Sequence, residues 1–240
     1  MTAHQTMEQY QFNVAMDKYE KIHGYQLTGH VISFVNTILQ AVLAVLVFQQ
    51  SIGPFKQLLT FATAYVLADF MSGLVHMYMD NNSDYESLAG PLIASFHLHH
   101  RTPRYKQKPF VAVYYHESGS KIWLAFFLLL SVAGVWQGAI SGVAAYGVLY
   151  FSILSSIAEV SHYYCHVPQP KVVQFLGKTG IFLPLRHHMR HHFEDNTNYA
   201  FLNGMTDPLL NVIAKAMCRG YKNTTDLHYA RYTGVGTANR

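Results

Sequence analysis

The sequence predicts an all-α integral membrane protein: a four-helix transmembrane bundle capped by a cytoplasmic helical portion that carries a histidine-rich dimetal site. Three observations predict it. Half of the 240 residues are hydrophobic and only 12% are charged, against roughly 25% charged in ordinary soluble domains. The apolar residues are gathered into long runs rather than spread at helical or strand period. And the 15 histidines are clustered, most densely in Arg186-His187-His188-Met189-Arg190-His191-His192.

Taken in order, residues 1–27 read as a polar cytosolic arm, partly helical, with Tyr10, Phe12 and Tyr19 able to lie against a membrane surface. The arm lacks the basic-then-apolar order of a signal peptide. A first span, about 28–48, contains no charge. Gly53-Pro54 signals a turn and a helix start, and a second span, about 56–79, is interrupted only by Asp69. Residues 80–121 are polar, with Pro91, Pro103 and Pro109, and read as a long loop on one side. A third span, about 122–136, carries Trp123-Leu124-Ala125-Phe126-Phe127-Leu128-Leu129-Leu130. Gln137-Gly138 turns the chain into a fourth, about 139–161. Val172, Val173, Phe175 and Leu176 suggest an amphipathic stretch at the membrane interface. The membrane domain is thus expected over 28–211, with a cytosolic tail from 212 to 240. Four spans put both termini and the 80–121 loop on one side, which then holds all but Lys56 of the 17 basic residues. The positive-inside rule makes that side the cytoplasm, of a bacterial inner membrane or of the endoplasmic reticulum.

This topology gathers the histidines. His76 ends the second span, with Asp80 one turn on; His97, His99, His100 and His116 lie in the loop; His162 and His166 sit one turn apart where the fourth span leaves the membrane; His187, His188, His191 and His192 follow. On a helix His188, His191 and His192 share one face. The ligands on offer exceed the four of one tetrahedral zinc. Two metals with four or five imidazoles each would use them, and His-rich sites with open positions suit iron that activates oxygen. A metal pair also serves hydrolysis, so spacing alone leaves the reaction open. No His-Glu-x-x-His motif occurs: His116-Glu117 is followed by Ser118-Gly119-Ser120. Two cysteines, Cys165 and Cys218, exclude a disulfide scaffold and a cysteine-rich metal site, and no basic stretch interleaved with aromatics points to nucleic acid.

Four blocks resemble the Kua/CarF-type lipid desaturases. Ala68 to His76 with Asp80 resembles A-D-x-x-S-G-[LV]-x-H-x-x-x-D. Phe96 to Pro103, with His99-His100, resembles an H-H-x-x-P block, and His116 resembles a further histidine of the plant form. His162 to His166 resembles H-x-W-[SA]-H, with Tyr164 in place of the tryptophan. Arg186 to His192, continuing through Asn198-Tyr199 to Gly204, resembles R-x-[HQ]-H-x-x-H-H followed by N-Y or T-Y. Glu159 stands where relatives carry an amide, Pro109 where the animal form has another histidine, and His97 has no counterpart. The resemblance covers about residues 62–211.

The resemblance implies oxygen-dependent desaturation of a lipid acyl or alkyl chain by two Fe ions. It implies His76, His99, His100, His116, His162, His166, His188, His191 and His192 as ligands. Membrane lipid and O2 would be substrates, and an external donor of cytochrome b5 or ferredoxin type would bring electrons, since nothing here resembles a haem or flavin domain. Asp69, Asp80, Glu159, His187 and Asn198 are candidates for holding or supplementing the ligands. Asp69 is expected to partner a histidine, Asp80 to support a ligand or be one, and Glu159 to be a ligand through Glu-x-x-His or to form an ion pair with Arg186 or Arg190. His187 and His97 take supporting or surface roles. Asn198 would hold a metal-bound water or shape a turn. Arg101, Arg104, Lys106 and Lys108 form a basic patch beside His99-His100, suited to anionic headgroups or an acidic donor. Alternatives are a lipid hydroxylase on the same scaffold and, in another class, a membrane metal transporter or metal-binding protein.

Overall fold

The computed structural model describes residues 3–22, 27–101, 105, 108–117, 121–194, 196–218 and 232. Among these residues the chain forms helices and no strand: α1 (Ala3–Ile22), α2 (Leu27–Phe48), α3 (Pro54–Asp80), α4 (Gly90–Arg101), α5 (Phe110–Glu117), α6 (Ile122–Trp136), α7 (Gly142–Tyr163), α8 (Lys171–Lys178), α9 (Leu185–Phe193) and α10 (Asp207–Met217).

Three helices, α2, α3 and α7, are long and apolar enough to cross a membrane. At 1.5 Å per residue the 22 residues of α2 or α7 extend about 33 Å, enough for a hydrocarbon core of about 30 Å. The third expected span fares differently. α6 has 15 residues, about 22 Å, and is too short alone. It makes a fourth span only together with α5, which meets it at 87°. Gln137, at the C-cap, and Gly138 with φ +74° end α6, as the Gln137-Gly138 turn signal predicts.

Packing within the bundle follows residue size. α3 and α7 pack through Ala64 and Ala68 against Leu154 and Ala158, small residues that let two helices approach. α2, α6 and α7 share a core of Leu43, Val47, Leu124, Leu128, Ala145, Tyr146 and Leu149. Buried polar groups stitch α5 into place. Gln40 on α2 donates to Ser152 O and Ser156 Oγ at 3.0 and 3.2 Å and accepts from Tyr114 Oη at 2.7 Å. Lys121, buried, donates to Ser155 O at 2.6 Å and pairs with Glu159 at 3.0 Å. An apolar surround makes such groups costly unless paired, so these bonds fix where α5 lies.

The described residues of 80–121, expected as a loop, include the helices α4 and α5. The polar composition of this stretch conceals α4, whose Ile93, Ala94 and Leu98 form a buried stripe. The stripe is covered by α1: Phe12, Ala15 and Met16 are at most 1% exposed and pack on Ala94 and Leu98, with Tyr85 and Tyr19 alongside. Phe12 therefore faces α4 rather than a membrane surface. Of the tail expected from 212, the first residues complete α10, and apart from Tyr232 the part after 218 lies outside the described residues.

Candidate metal centre

Three helix ends and one short helix deliver the histidines to one place: the C-terminal turns of α3 and α4, the end of α7 with the turn that follows it to His166, and the whole of α9. Two ligand groups result. His99, His162, His166 and His188 form one; His76, Asp80, His100 and His191 form the other. In each, one ligand atom per residue lies within 4.8 Å of all the others. His192 stands between them, its Nε2 3.0 Å from His188 Nε2 and its ring 4.8 Å from that of His100.

The spacing has a coordination scale. Nε2 separations are 3.1 Å for His99–His162, 3.3 Å for His162–His166 and 2.8 Å for His166–His188. With metal–nitrogen bonds of about 2.1 Å, neighbouring ligands stand about 3.0 Å apart in an octahedron and about 3.4 Å apart in a tetrahedron. The nitrogens are thus spaced as ligands of one ion.

Hydrogen bonds settle which nitrogens are offered. His76 Nδ1 lies 2.8 Å from Tyr199 O, and His191 Nδ1 2.6 Å from Thr197 O. A carbonyl only accepts, so both Nδ1 atoms carry the hydrogen, and each neutral ring turns the Nε2 lone pair inward. Those Nε2 atoms lie 3.1 and 3.3 Å from Asp80 Oδ2. Yet His76 Nε2, His191 Nε2 and Asp80 Oδ1 are buried without a hydrogen-bond partner among the described residues. Lone pairs and a carboxylate facing one another without protons are a site for a cation. The residues fit a metal ion in each group.

Electrostatics agree for the groups beyond the spans. Burial first, and then the neighbouring rings, push the pKa values of His99 and His188 well below the ordinary imidazole range. The same causes lower His166 to about 3, and His192 to about 2. His191 falls to about 4, mainly through burial, with Asp80 opposing. Neutral imidazole is the ligating form.

The expected site residues sort as follows. Eight of the nine histidines meet here; His116 does not. Its ring packs edge-on against His30 at 5.2 Å and against Tyr115, because α5 is bonded to α2. Asp80 sits inside the second group. Asp69 partners no histidine among the described residues: it accepts from the backbone N–H groups of Asn203, Gly204 and Thr206 and from Thr206 Oγ1, at 2.7 to 3.1 Å. It pins the turn before α10, and Thr206 spends its hydroxyl there rather than capping its own helix. Glu159 pairs with Lys121, not with a metal group, Arg186 or Arg190; Arg190 pairs with Glu194. His187 pairs with Asp207 at 2.5 Å. Asn198 is a turn residue with φ +58°, held by Asn211. His97 bonds Tyr85 Oη and Met79 O at 2.6 and 3.1 Å and steadies the end of α3. In the basic patch, only the side chain of Lys108 is among those described.

Sequence reasoning missed the partners on the other side of the rings. Phe201 stacks on His162 with centroids 3.9 Å apart and lies 4.4 Å from His76, touching a ligand of each group. Tyr105 stacks on His166 at 5.1 Å. Asp207 accepts from Ala200 N–H at 2.9 Å and pairs with His187.

Residues 65–216 match the family model described as the lipid desaturase domain, a stretch that contains both ligand groups and the Thr197 and Tyr199 carbonyls that orient His191 and His76. The chain belongs to the Kua/CarF-type lipid desaturase family. No curated protein and no solved structure matches it. Membership and the long apolar helices make it a multi-pass membrane protein of a family acting on lipids.

Proposed function

We propose that this lipid desaturase uses two iron ions, one in each ligand group, to introduce a double bond into a lipid acyl or alkyl chain. The observation that supports the reading most is the pair of buried groups joined by His192. In one the ring nitrogens stand at ligand spacing, in the other His76 and His191 turn their hydrogens away, and both lie at one end of helices that cross the membrane. Iron in such sites would supply redox chemistry, coupling reduction of O2 to removal of two hydrogens from adjacent carbons. The balance needs two electrons and two protons from outside the lipid and yields two waters. An external donor of cytochrome b5 or ferredoxin type is the proposed electron source.

The chain's own residues have defined parts in this reading. His99, His162, His166 and His188 hold one ion, and His76, Asp80, His100 and His191 the other, with His192 placed to serve either. Tyr199 O and Thr197 O orient His76 and His191 by accepting their Nδ1–H groups. Phe201 packs on the rings of His162 and His76 and keeps water from that side. The proposed orientation puts the site and both termini at the cytosolic face, following the basic residues.

Lipid mass spectrometry of cells with and without the protein, alongside His191→Ala, tests this. Lipids lighter by two hydrogens are expected with the wild type and not with the variant. A gain of one oxygen would instead show a hydroxylase, and an unchanged lipid profile with well-expressed wild type would overturn the proposal.

A further inference from the structure

The long helices do not hold all the exposed apolar surface. α10 packs one face on α3, with Leu210 seated so closely over Gly73 that a Cβ there would lie 2.3 Å from the leucine Cδ1. Its opposite face carries Met205, just before the helix, then Leu209 and Val212, at 52%, 55% and 64% exposure. These residues recur at three- and four-residue steps, a single stripe. α8 repeats the arrangement: Val173 is buried while Val172 and Phe175 are more than 60% exposed. Short soluble helices do not normally present such stripes to water.

We infer that α8 and α10 lie in the membrane interface, with their exposed stripes in the lipid of the leaflet beside the histidine end. Two further observations choose lipid over a protein partner. First, the stripes continue the apolar surface of α3. α10 rests on α3 at Gly73, next to exposed Met71 and Val75, and the segment after α8 is tied to the same helix by Tyr65 Oη donating to Ile181 O. Second, exposed Lys171 and Lys178 bracket α8, and exposed Lys215 follows the stripe of α10. An apolar face edged by lysines matches acyl chains beneath anionic headgroups. Asp69 then has a physical role: it holds the turn that starts α10, so one buried carboxylate on α3 sets how the interfacial helix sits. The metal groups are thereby held at the level of the lipid rather than lifted above it.

The inference rests on the reading of the chain as a membrane protein, and the test separates the two. In full-length protein carrying Cys218→Ser, with Cys165 buried, single cysteines are placed by Val212→Cys, Phe175→Cys, Leu67→Cys on the exposed face of α3, and Ser83→Cys in the α3–α4 connection. Each is labelled with an environment-sensitive fluorophore in vesicles of phosphatidylcholine and phosphatidylglycerol. Spin labels on the acyl chains should quench positions 212, 175 and 67 several-fold more than 83, and aqueous iodide should show the reverse order. Quenching by lipid at 67 but not at 212 and 175 overturns the interfacial placement while leaving the membrane reading intact. Protection of 212 from both quenchers, the mark of a second protein surface, overturns it too. No lipid quenching at 67 would bring down the membrane reading itself.

Discussion

His99 and His100 are consecutive residues on α4, with ring planes 80° apart, and they serve different ligand groups. One helical step thus ties the two groups together, so the last turn of α4 cannot shift without disturbing both. His99→Ala and His100→Ala should each lower the bound metal of the purified protein, by about half if the groups fill independently. The double variant should retain almost none. Elemental analysis per mole of chain checks this, and a double variant that keeps full metal would rule out these groups as the binding site.

His116 gives the sharpest contrast between family likeness and geometry. It resembles a histidine of the family's plant form and was expected as a ligand, yet its ring lies against His30 and Tyr115. His116→Ala should leave the metal content unchanged within error. A loss comparable to that of His188→Ala would mean that α5 moves to the groups when metal binds.

Much of the site was legible because its ligands obey local rules. His162 and His166 one turn apart, and His188, His191 and His192 on one face, announce themselves at helical period. Asp69 and Glu159 misled because burial in an apolar span marks a carboxylate as functional without saying for what. Asp69 answers to backbone N–H groups more than 130 residues away in sequence, and Glu159 to Lys121. Neither partner has a spacing that sequence can register. The same holds for Tyr199 and Thr197, which act through carbonyls that every residue possesses. The helices were found where apolar runs were long. α4 was missed because its buried stripe becomes apolar only once α1 lies over it.

That cover makes α1 part of the metal centre's support, although it precedes the residues matched by the family model. Phe12 is fully buried against the helix that carries His99 and His100. Phe12→Ala should cost about 3 kcal/mol of local stability, felt in α4 before the spans. Hydrogen exchange should quicken in residues 90–101 and metal should dissociate faster, with α2 and α7 unchanged. Unaltered exchange in α4 would show that α1 is a passive appendage.

Gly204 tests the segment that sets the rings. It has φ +82°, and a Cβ there would lie 2.7 Å from His187 Nε2 and 3.1 Å from Asp207 Oδ2, so Gly204→Ala meets both backbone strain and a clash. The His187–Asp207 pair should open, displacing α9 at the residue preceding His188. Metal affinity should fall about tenfold or more, as when a residue supporting a ligand is lost. Asp207→Asn, which keeps the shape and weakens the pair, should give a smaller loss. Equal affinity in wild type and Gly204→Ala would show that His187 does not help position His188.

Acid should act on the metal-free protein through the same histidines. Unfolded imidazoles titrate near about 6.5, whereas burial holds His191 and His97 at about 4 and His166 at about 3. Between those limits the unfolded histidine end binds more protons than the folded one, so stability falls as pH falls. The contribution is fully present above about 6.5 and is lost progressively as pH drops toward the folded values. Bound metal should oppose the loss, because it too requires neutral rings. Thermal melting of metal-free protein in detergent should therefore shift downward from pH 7 to pH 5, by more than that of the metal-loaded form. His188→Gln, which removes one titrating ring from the buried cluster, should flatten the dependence, and a metal-free protein with equal melting temperatures at both pH values would show that these rings are not held neutral by burial.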